Sequence, residues 1–529
     1  MRVECNALSP CFTRLGAVEQ AGELCSMLVA TSGPVTALAR TQVMTISAQD
    51  LYNYTKCHHR VYLDSNGDPA ERGEVSSFVE MLWEMGLQTE RDYLADGEAT
   101  NVADLSDLNM ERALVKTREL MHQGQAAIYQ GAIEAGDWRG RPDLLFRHDE
   151  ASSTLGPFYY EAVDIKGGRG WEERHGKKTR FKSHYAFQIL FYREILYRLQ
   201  GYRPGIGRIV NVDHELEEFD PADFDDAFAA ALADVTRLVN GSKTSEPVLG
   251  SACHQCHWYQ RCRRWVEGTH DPSGLFFVGK VKFDLKRVGL QSIDDIARMN
   301  VKDYLEGASK IPRASEKTLL RLKERARVRL ANQPHLRSGY SFPVVTKEIY
   351  FDIEDDPTQD FTYLYGLVER HATGASDFRY FLARHPNDEE QAVREFWQYL
   401  ADNDDVVYYV YSAKERSSLR KLMQRYDLET QIFEHYCEQE YDLYTDLVVK
   451  YSDWPTYSYG IKQIAQIIGF RWRDADPSGA NSIVWLNDYL ADPTRTDVLQ
   501  RILDYNEDDC YAMVAVKDYF AARLTQEKP

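Results

Sequence analysis

The chain has 529 residues, 43% hydrophobic and 27% charged, which excludes intrinsic disorder and, at this length, a single ordinary domain. A net charge of −19 excludes non-specific coating of nucleic acid, and no run of about 18 apolar residues is present to cross a membrane. Nine cysteines in a chain of this size exclude a disulfide scaffold and point to a reducing, cytoplasmic setting.

Residues 1–43 have little periodicity and no secretory signal, and are expected to be a poorly ordered extension, with Met44 a natural start. A first domain is expected over 44–270. Its pattern predicts a helix over 46–64 capped by Ser47 and a second over 74–95. Strands are predicted over 140–147 and 158–166, separated by a polar turn, then an aromatic-rich helix over 182–199. A cysteine cluster closes the domain near 265. Residues 168–179 miss the spacing of a phosphate-binding P-loop by one residue and read as a basic, substrate-facing loop.

Residues 271–340 are expected to be a helical linker, with 14 basic against 8 acidic residues over 271–330. It contains two similar short units, each with a small-residue turn between helical stretches. Two readings stand: tandem helix-hairpin-helix-like units binding phosphates at helix N-termini, or a linker with a solvated basic face. A last domain is expected over 343–529, where 35 acidic residues meet 19 basic ones and most of the negative excess resides. The strands IYFDI, TYLYGLVE, DFRYFLA and VVYYVY, with a helix over 388–401 before the fourth, predict a mixed sheet faced by helices.

In YFDIEDD, Asp352 and Glu354 alternate with Phe351 and Ile353, so on one strand both acids face one side and can share a metal ion. In YNEDDC, Tyr505 stands one helical turn before Asp509. This order, DxE early and YxxxD late, resembles the tyrosine subclass of the DnaQ-like DEDD 3′–5′ exonucleases of ribonuclease H fold. The resemblance implies that Asp509 completes a Mg²⁺ or Mn²⁺ cage and that Tyr505 orients the attacking water. The middle acid departs from the usual aspartate. Glu415, after the fourth strand, is the candidate, while Asp404 and Asp405 read as turn residues. Lys462 reads equally as a phosphate contact or as a solvent-facing lysine.

In the first half, Asp143 comes beside Asp164 if their strands pair, and Lys166 points the same way as Asp164. Two carboxylates for a metal and a lysine at the phosphate suit phosphodiester hydrolysis. This segment resembles the core of PD-(D/E)XK restriction-endonuclease-like nucleases, in the RecB-like branch. That resemblance implies Glu90 as an upstream metal ligand, and Gln188 and Tyr192 as a downstream pair on one helical face.

Cys253, Cys256 and Cys262 form a compact ligand run, and Cys57 lies at the other edge of the same domain. The pattern resembles the iron-staple nucleases, which implies a structural 4Fe–4S cluster. Zinc is the alternative, with His58, His254 or His257 as possible substitute ligands.

The whole resembles a RecB-like nuclease family that fuses an iron–sulfur PD-(D/E)XK domain to a DnaQ-like domain, an α/β multidomain chain. It implies metal-dependent hydrolysis of DNA single strands or ends, in repair, recombination or defence. Two other readings stay open: an RNA-processing 3′–5′ exoribonuclease, or a catalytically degenerate nucleic-acid-binding platform.

Overall fold

The structure, a computed structural model, describes residues 45–96, 101–174 and 177–526. The extension expected over 1–43 lies outside the described residues. Among them, no helix is long and apolar enough to cross a membrane.

The helix expected over 46–64 is two helices, α1 (Ala48–Lys56) and α2 (His58–Asn66). Ser47 caps α1 in a reciprocal box with Asp50. Cys57 takes an extended conformation and breaks the run, which periodicity alone does not foresee. Helix α3 (Ser77–Ala95) follows. A six-stranded sheet is then built from β1 (Val102–Asp104), β2 (Ala127–Tyr129), β3 (Leu144–His148), β4 (Tyr159–Ile165), β5 (Gly207–Val210) and β6 (Leu216–Phe219), in the spatial order β6-β5-β4-β3-β2-β1. Strand β4 is central and buried at all seven positions, as expected of a strand covered on both faces. Strands β4 and β5 are parallel, and helix α4 (Ser183–Gln200) makes the crossover between them. The basic loop expected over 168–179 is part of a β-hairpin, Trp171–Arg174 with Lys177–Phe181.

Helix α5 (Tyr259–Gly268) leads into α6 (Val281–Arg287), α7 (Ile293–Arg298) and α8 (Glu316–Ala331). The second of the two similar units opens in 3-10 turns rather than a helix. The reading of this segment as a linker with a solvated basic face needs correction, because much of its charge is consumed internally. Lys282 is fully buried with its Nζ 2.9 Å from Asp271 and 3.2 Å from Glu246. Arg321 and Arg325 converge on the fully buried Asp453, at 2.7 and 3.1 Å, and Arg337 joins them. Desolvated cations of this kind persist only when paired.

The last sheet comprises β7 (Lys347–Asp356), β8 (Phe361–His371), β9 (Ser376–Leu382), β10 (Val406–Val410) and the unforeseen β11 (Glu440–Asp442), in the order β9-β8-β7-β10-β11. Strand β7 pairs antiparallel with β8 and parallel with β10. The helix expected over 388–401 is present as Glu389–Ala401, and helices α9 (Lys414–Arg425), α10 (Ile461–Ile467), α11 (Gly479–Ala491) and the long α12 (Thr496–Gln526) are among those that follow. Phe351 and Ile353 enter the core, at 0% and 1% exposure, which leaves Asp352 and Glu354 on the opposite face.

Candidate metal centres

Strand β7 delivers Asp352 and Glu354, and α12 crosses beside it with Asp509. One carboxylate oxygen from each lies within 4.8 Å of the other two, a grouping no other His, Cys, Asp or Glu set makes among the described residues. Burial, then the charge of Asp509, pushes Asp352 up to about 7. Glu354 is raised well above the carboxylate range by burial and then by Asp352. Three hard oxygen donors whose mutual repulsion is only partly offset by the nearby Lys414 and Lys462 fit a divalent cation.

The surroundings hold these acids in place. Asn506 on α12 donates from Nδ2 to Asp352 Oδ2 at 2.8 Å. It reaches that oxygen because Gly366, opposite Asp352 on β8, has no side chain: a Cβ there would sit 1.5 Å from Asn506 Oδ1. Trp472 Nε1 donates to Asp509 Oδ1 at 2.6 Å. Lys462 Nζ donates to the Tyr505 hydroxyl at 2.8 Å and lies 3.2 Å from Asp509 Oδ2, so it belongs to the site's wall rather than to open solvent. Lys414 Nζ is 2.7 Å from Asp355 Oδ1; burial opposes its charge, but Glu354, Asp355 and Asp352 together hold its pKa above the ordinary value. Tyr505 is buried, and burial followed by the Asp509 charge keeps its hydroxyl protonated.

Glu415, in the first turn of α9, is 3% exposed and lies outside the tight trio. Burial and then the Asp352 charge raise its pKa, and its buried Oε2 has no hydrogen-bond partner. Sequence reasoning missed Asn506, Trp472, Gly366 and Lys414. Lys414, adjacent to Glu415, and Asn506, adjacent to Tyr505, carried a local signal; Trp472 and Gly366 carried none.

A family model of the RNase H superfamily matches residues 349–521. No curated protein matches the chain. The RNase H-like domain so delimited contains the whole trio, with Glu415, Lys462 and Tyr505. Nucleases of this fold use divalent metals, in keeping with the acidic cluster.

The first half brings its own predicted residues together. Strands β3 and β4 pair antiparallel, with Leu144 opposite Val163. The Asp143 N–H donates to Asp164 Oδ1 at 3.3 Å, and the Ile165 N–H to Asp143 Oδ2 at 2.8 Å. Lys166 Nζ donates to Asp164 Oδ2 at 2.8 Å. Burial, then the Asp164 charge, raises Asp143 well above the carboxylate range. Glu90, from α3, accepts from the Tyr129 hydroxyl at 2.8 Å and from Gln130 Nε2 at 3.3 Å. Gln130 also donates to Asp143 Oδ1 at 3.0 Å, so an amide stands between the two acids. Gln130 has φ +54°, a left-handed conformation that costs a side-chain-bearing residue energy and gathers at functional sites. Nothing in its neighbours announced this.

Gln188 and Tyr192 lie on α4, both buried. The Tyr192 hydroxyl is raised by burial and then by the charges of Asp164 and Asp143. Gln188 Oε1 is buried without a partner. Cys57 at the α1–α2 break, Cys253 and Cys256 before α5, and Cys262 on α5 are free thiols. Burial pushes Cys253 up to about 11, and the nearby Cys57 and Cys256 add to it. Burial likewise raises Cys262, with contributions from the other three thiols. Of the histidines offered as substitutes, His257 is turned to Asp64 at 3.0 Å and His58 stacks flat on Tyr54 at 3.9 Å.

Proposed function

We propose that the protein is a metal-dependent nuclease that hydrolyses phosphodiester bonds in DNA single strands or ends at two centres. One comprises Asp352, Glu354, Asp509 and Glu415 with Tyr505; the other comprises Glu90, Asp143, Asp164 and Lys166 with Gln188 and Tyr192. The observation that carries this reading is the convergence of three carboxylates, those of the half-buried Asp352 and the buried Glu354 and Asp509, within 4.8 Å beside a tyrosine hydroxyl and a lysine.

These carboxylates would hold divalent cations, which when bound would supply Lewis-acid polarisation of the phosphate and a stronger water nucleophile. The chain's own residues do the rest. Tyr505, kept protonated and hydrogen-bonded to Lys462, orients water at the C-terminal centre through its hydroxyl. Lys462 stands within reach of both Tyr505 and Asp509, where an ammonium group offsets charge at a bound phosphate. At the N-terminal centre Lys166, fixed by Asp164, presents its ammonium group to the phosphate, and Gln188 offers an unpartnered amide oxygen. Trp472 and Asn506 hold the carboxylates so that little reorganisation accompanies binding.

The four thiols join the two edges of the N-terminal domain, and we read them as ligands of a structural 4Fe–4S cluster. In support, the Cys57, Cys253 and Cys256 thiols all lie near enough to raise that of Cys262, so the four gather in one place as a ligand set; tetrahedral zinc is the alternative that metal analysis separates.

The deciding experiment uses anaerobically purified protein with end-labelled single-stranded DNA, duplex DNA and matched RNA in Mg²⁺ or Mn²⁺. The wild type is expected to cut DNA, with Lys166→Ala and Asp352→Ala removing different product ladders. Binding without cleavage in every metal would leave a platform instead, and preference for the ribo strand would make it an RNA-processing enzyme.

A further inference from the structure

Beside the N-terminal centre lies a surface that the two sets of ligands do not use. Helices α1 and α4 pack together there and present cations interleaved with aromatic rings. Lys166 Nζ lies 5.6 Å from the Tyr185 ring centre and Lys182 Nζ 5.5 Å from the same ring. His184 packs at 4.4 Å from Tyr185 and edge-on to Tyr52 at 5.1 Å. Lys56 Nζ is 3.5 Å from His184 Nδ1 and 5.5 Å from the Tyr52 ring centre. The chain from Lys166 to Lys56 is therefore continuous, contact by contact.

The charges of Lys56 and Lys182 on this surface are unopposed, whereas Lys166 at its inner end pairs with Asp164. Lys182 spends one hydrogen bond on the Arg169 carbonyl at 2.5 Å, and neither it nor Lys56 has a carboxylate in ion-pair distance among the described residues. Burial, then Lys182, pushes Lys56 down, and burial with Lys56, Lys182 and Lys166 pushes His184 down to about 3. His184 is thus a neutral ring among ammonium groups. The positive end of α4 adds to the field, because its N-cap, Lys182, supplies no side-chain cap. In a protein of net charge −19, a standing repulsion among cations beside a carboxylate centre signals a polyanion that relieves it.

We propose that Lys56, Lys182 and His184, with Tyr52 and Tyr185, form a track that binds a single-stranded polynucleotide and leads it to Lys166. The inference rests on the nuclease reading above and adds the path of the strand. The ammonium groups take successive phosphates, and the rings take unpaired bases, whose faces a duplex keeps stacked inside.

The test measures binding of fluorescent single strands and duplex to the full chain in EDTA, so that no turnover intervenes, over a range of salt concentrations. Lys56→Gln and Lys182→Gln are each expected to weaken single-strand binding several-fold and to reduce the slope of log K against log salt by about 0.7. Tyr52→Ala is expected to lose roughly tenfold on single strands with the slope unchanged. Lys56→Arg is expected to restore the slope, which a merely misfolded variant would not allow, and Lys116→Gln, on a distant exposed pair with Glu119, to change nothing. If the wild type binds in EDTA and cuts in the separate Mg²⁺ or Mn²⁺ assay, while both lysine variants keep its slope and affinity, the track is wrong and the nuclease reading stands. Equal losses on duplex overturn the single-strand assignment. If the wild type neither binds nor cuts, the nuclease reading itself falls.

Discussion

The two centres assemble carboxylates by different routes. In the C-terminal one, two acids from a single strand meet a third from a helix some 150 residues on, close enough for one cation to touch all three. In the N-terminal one, Asp143 and Asp164 come from neighbouring strands, but the Gln130 amide bridges Asp143 to Glu90 and Lys166 already pairs with Asp164. Both sets meet a protein cation, Lys462 at Asp509 and Lys166 at Asp164, so the difference lies in spacing: only the C-terminal acids come close enough for one ion to relieve the repulsion of all three. The C-terminal centre should therefore depend more steeply on metal, for stability as well as for turnover.

The largest expected effect separates the two chemically. Asp352→Ala should reduce the C-terminal ladder by more than about 100-fold, beyond the loss typical of groups that merely support metal ligands, and leave the Lys166-dependent ladder intact. Quantified product ladders check this; a joint loss would mean that the centres act as one.

Next come the glycines that floor each centre. Gly366→Ala drives a Cβ into Asn506, and Gly140→Ala drives one to 2.6 Å from the Tyr192 ring. Each should cost about 1–3 kcal/mol, read from urea midpoints. Gly366→Ala should also weaken Mg²⁺ binding, because Asn506 holds Asp352.

A subtler effect concerns pH. Asp352 has its folded pKa raised to about 7, so its protonated form favours the folded state. Without metal, this contribution is full below the ordinary carboxylate pKa and is lost as pH rises towards 7 and beyond. Added Mg²⁺ should thus raise Tm more at pH 8 than at pH 5, and Asp352→Asn should flatten the difference. Thermal melts at the two pH values decide it.

The smallest effect is expected from Cys57→Ser. It should lower the stability of the N-terminal half and remove bound iron, measured by metal analysis, while the Asp352-dependent ladder persists. Iron retained, or zinc in its place, would break the staple reading.

Much of this was legible locally. Alternation in YFDIEDD put Asp352 and Glu354 on one face, the turn-long spacing put Tyr505 with Asp509, and Ser47 announced the start of α1. The break at Cys57 was not legible, because the flanking residues keep helical spacing through it. Nor was the fate of the linker's arginines: a basic helix reads as solvated until a buried aspartate 132 residues from Arg321 is seen to receive them.

The sequence by itself determined which residues share a face and in what order the acids arrive, since strand and helix periods are set by backbone sterics within a few residues. Only the tertiary structure decided how closely the acids approach and which groups hold them. Asn506 against Gly366, Lys462 on Tyr505, Gln130 between Glu90 and Asp143, and Glu415 just outside the trio all depend on how distant elements pack. Packing is a property of the whole core, and no local spacing encodes it.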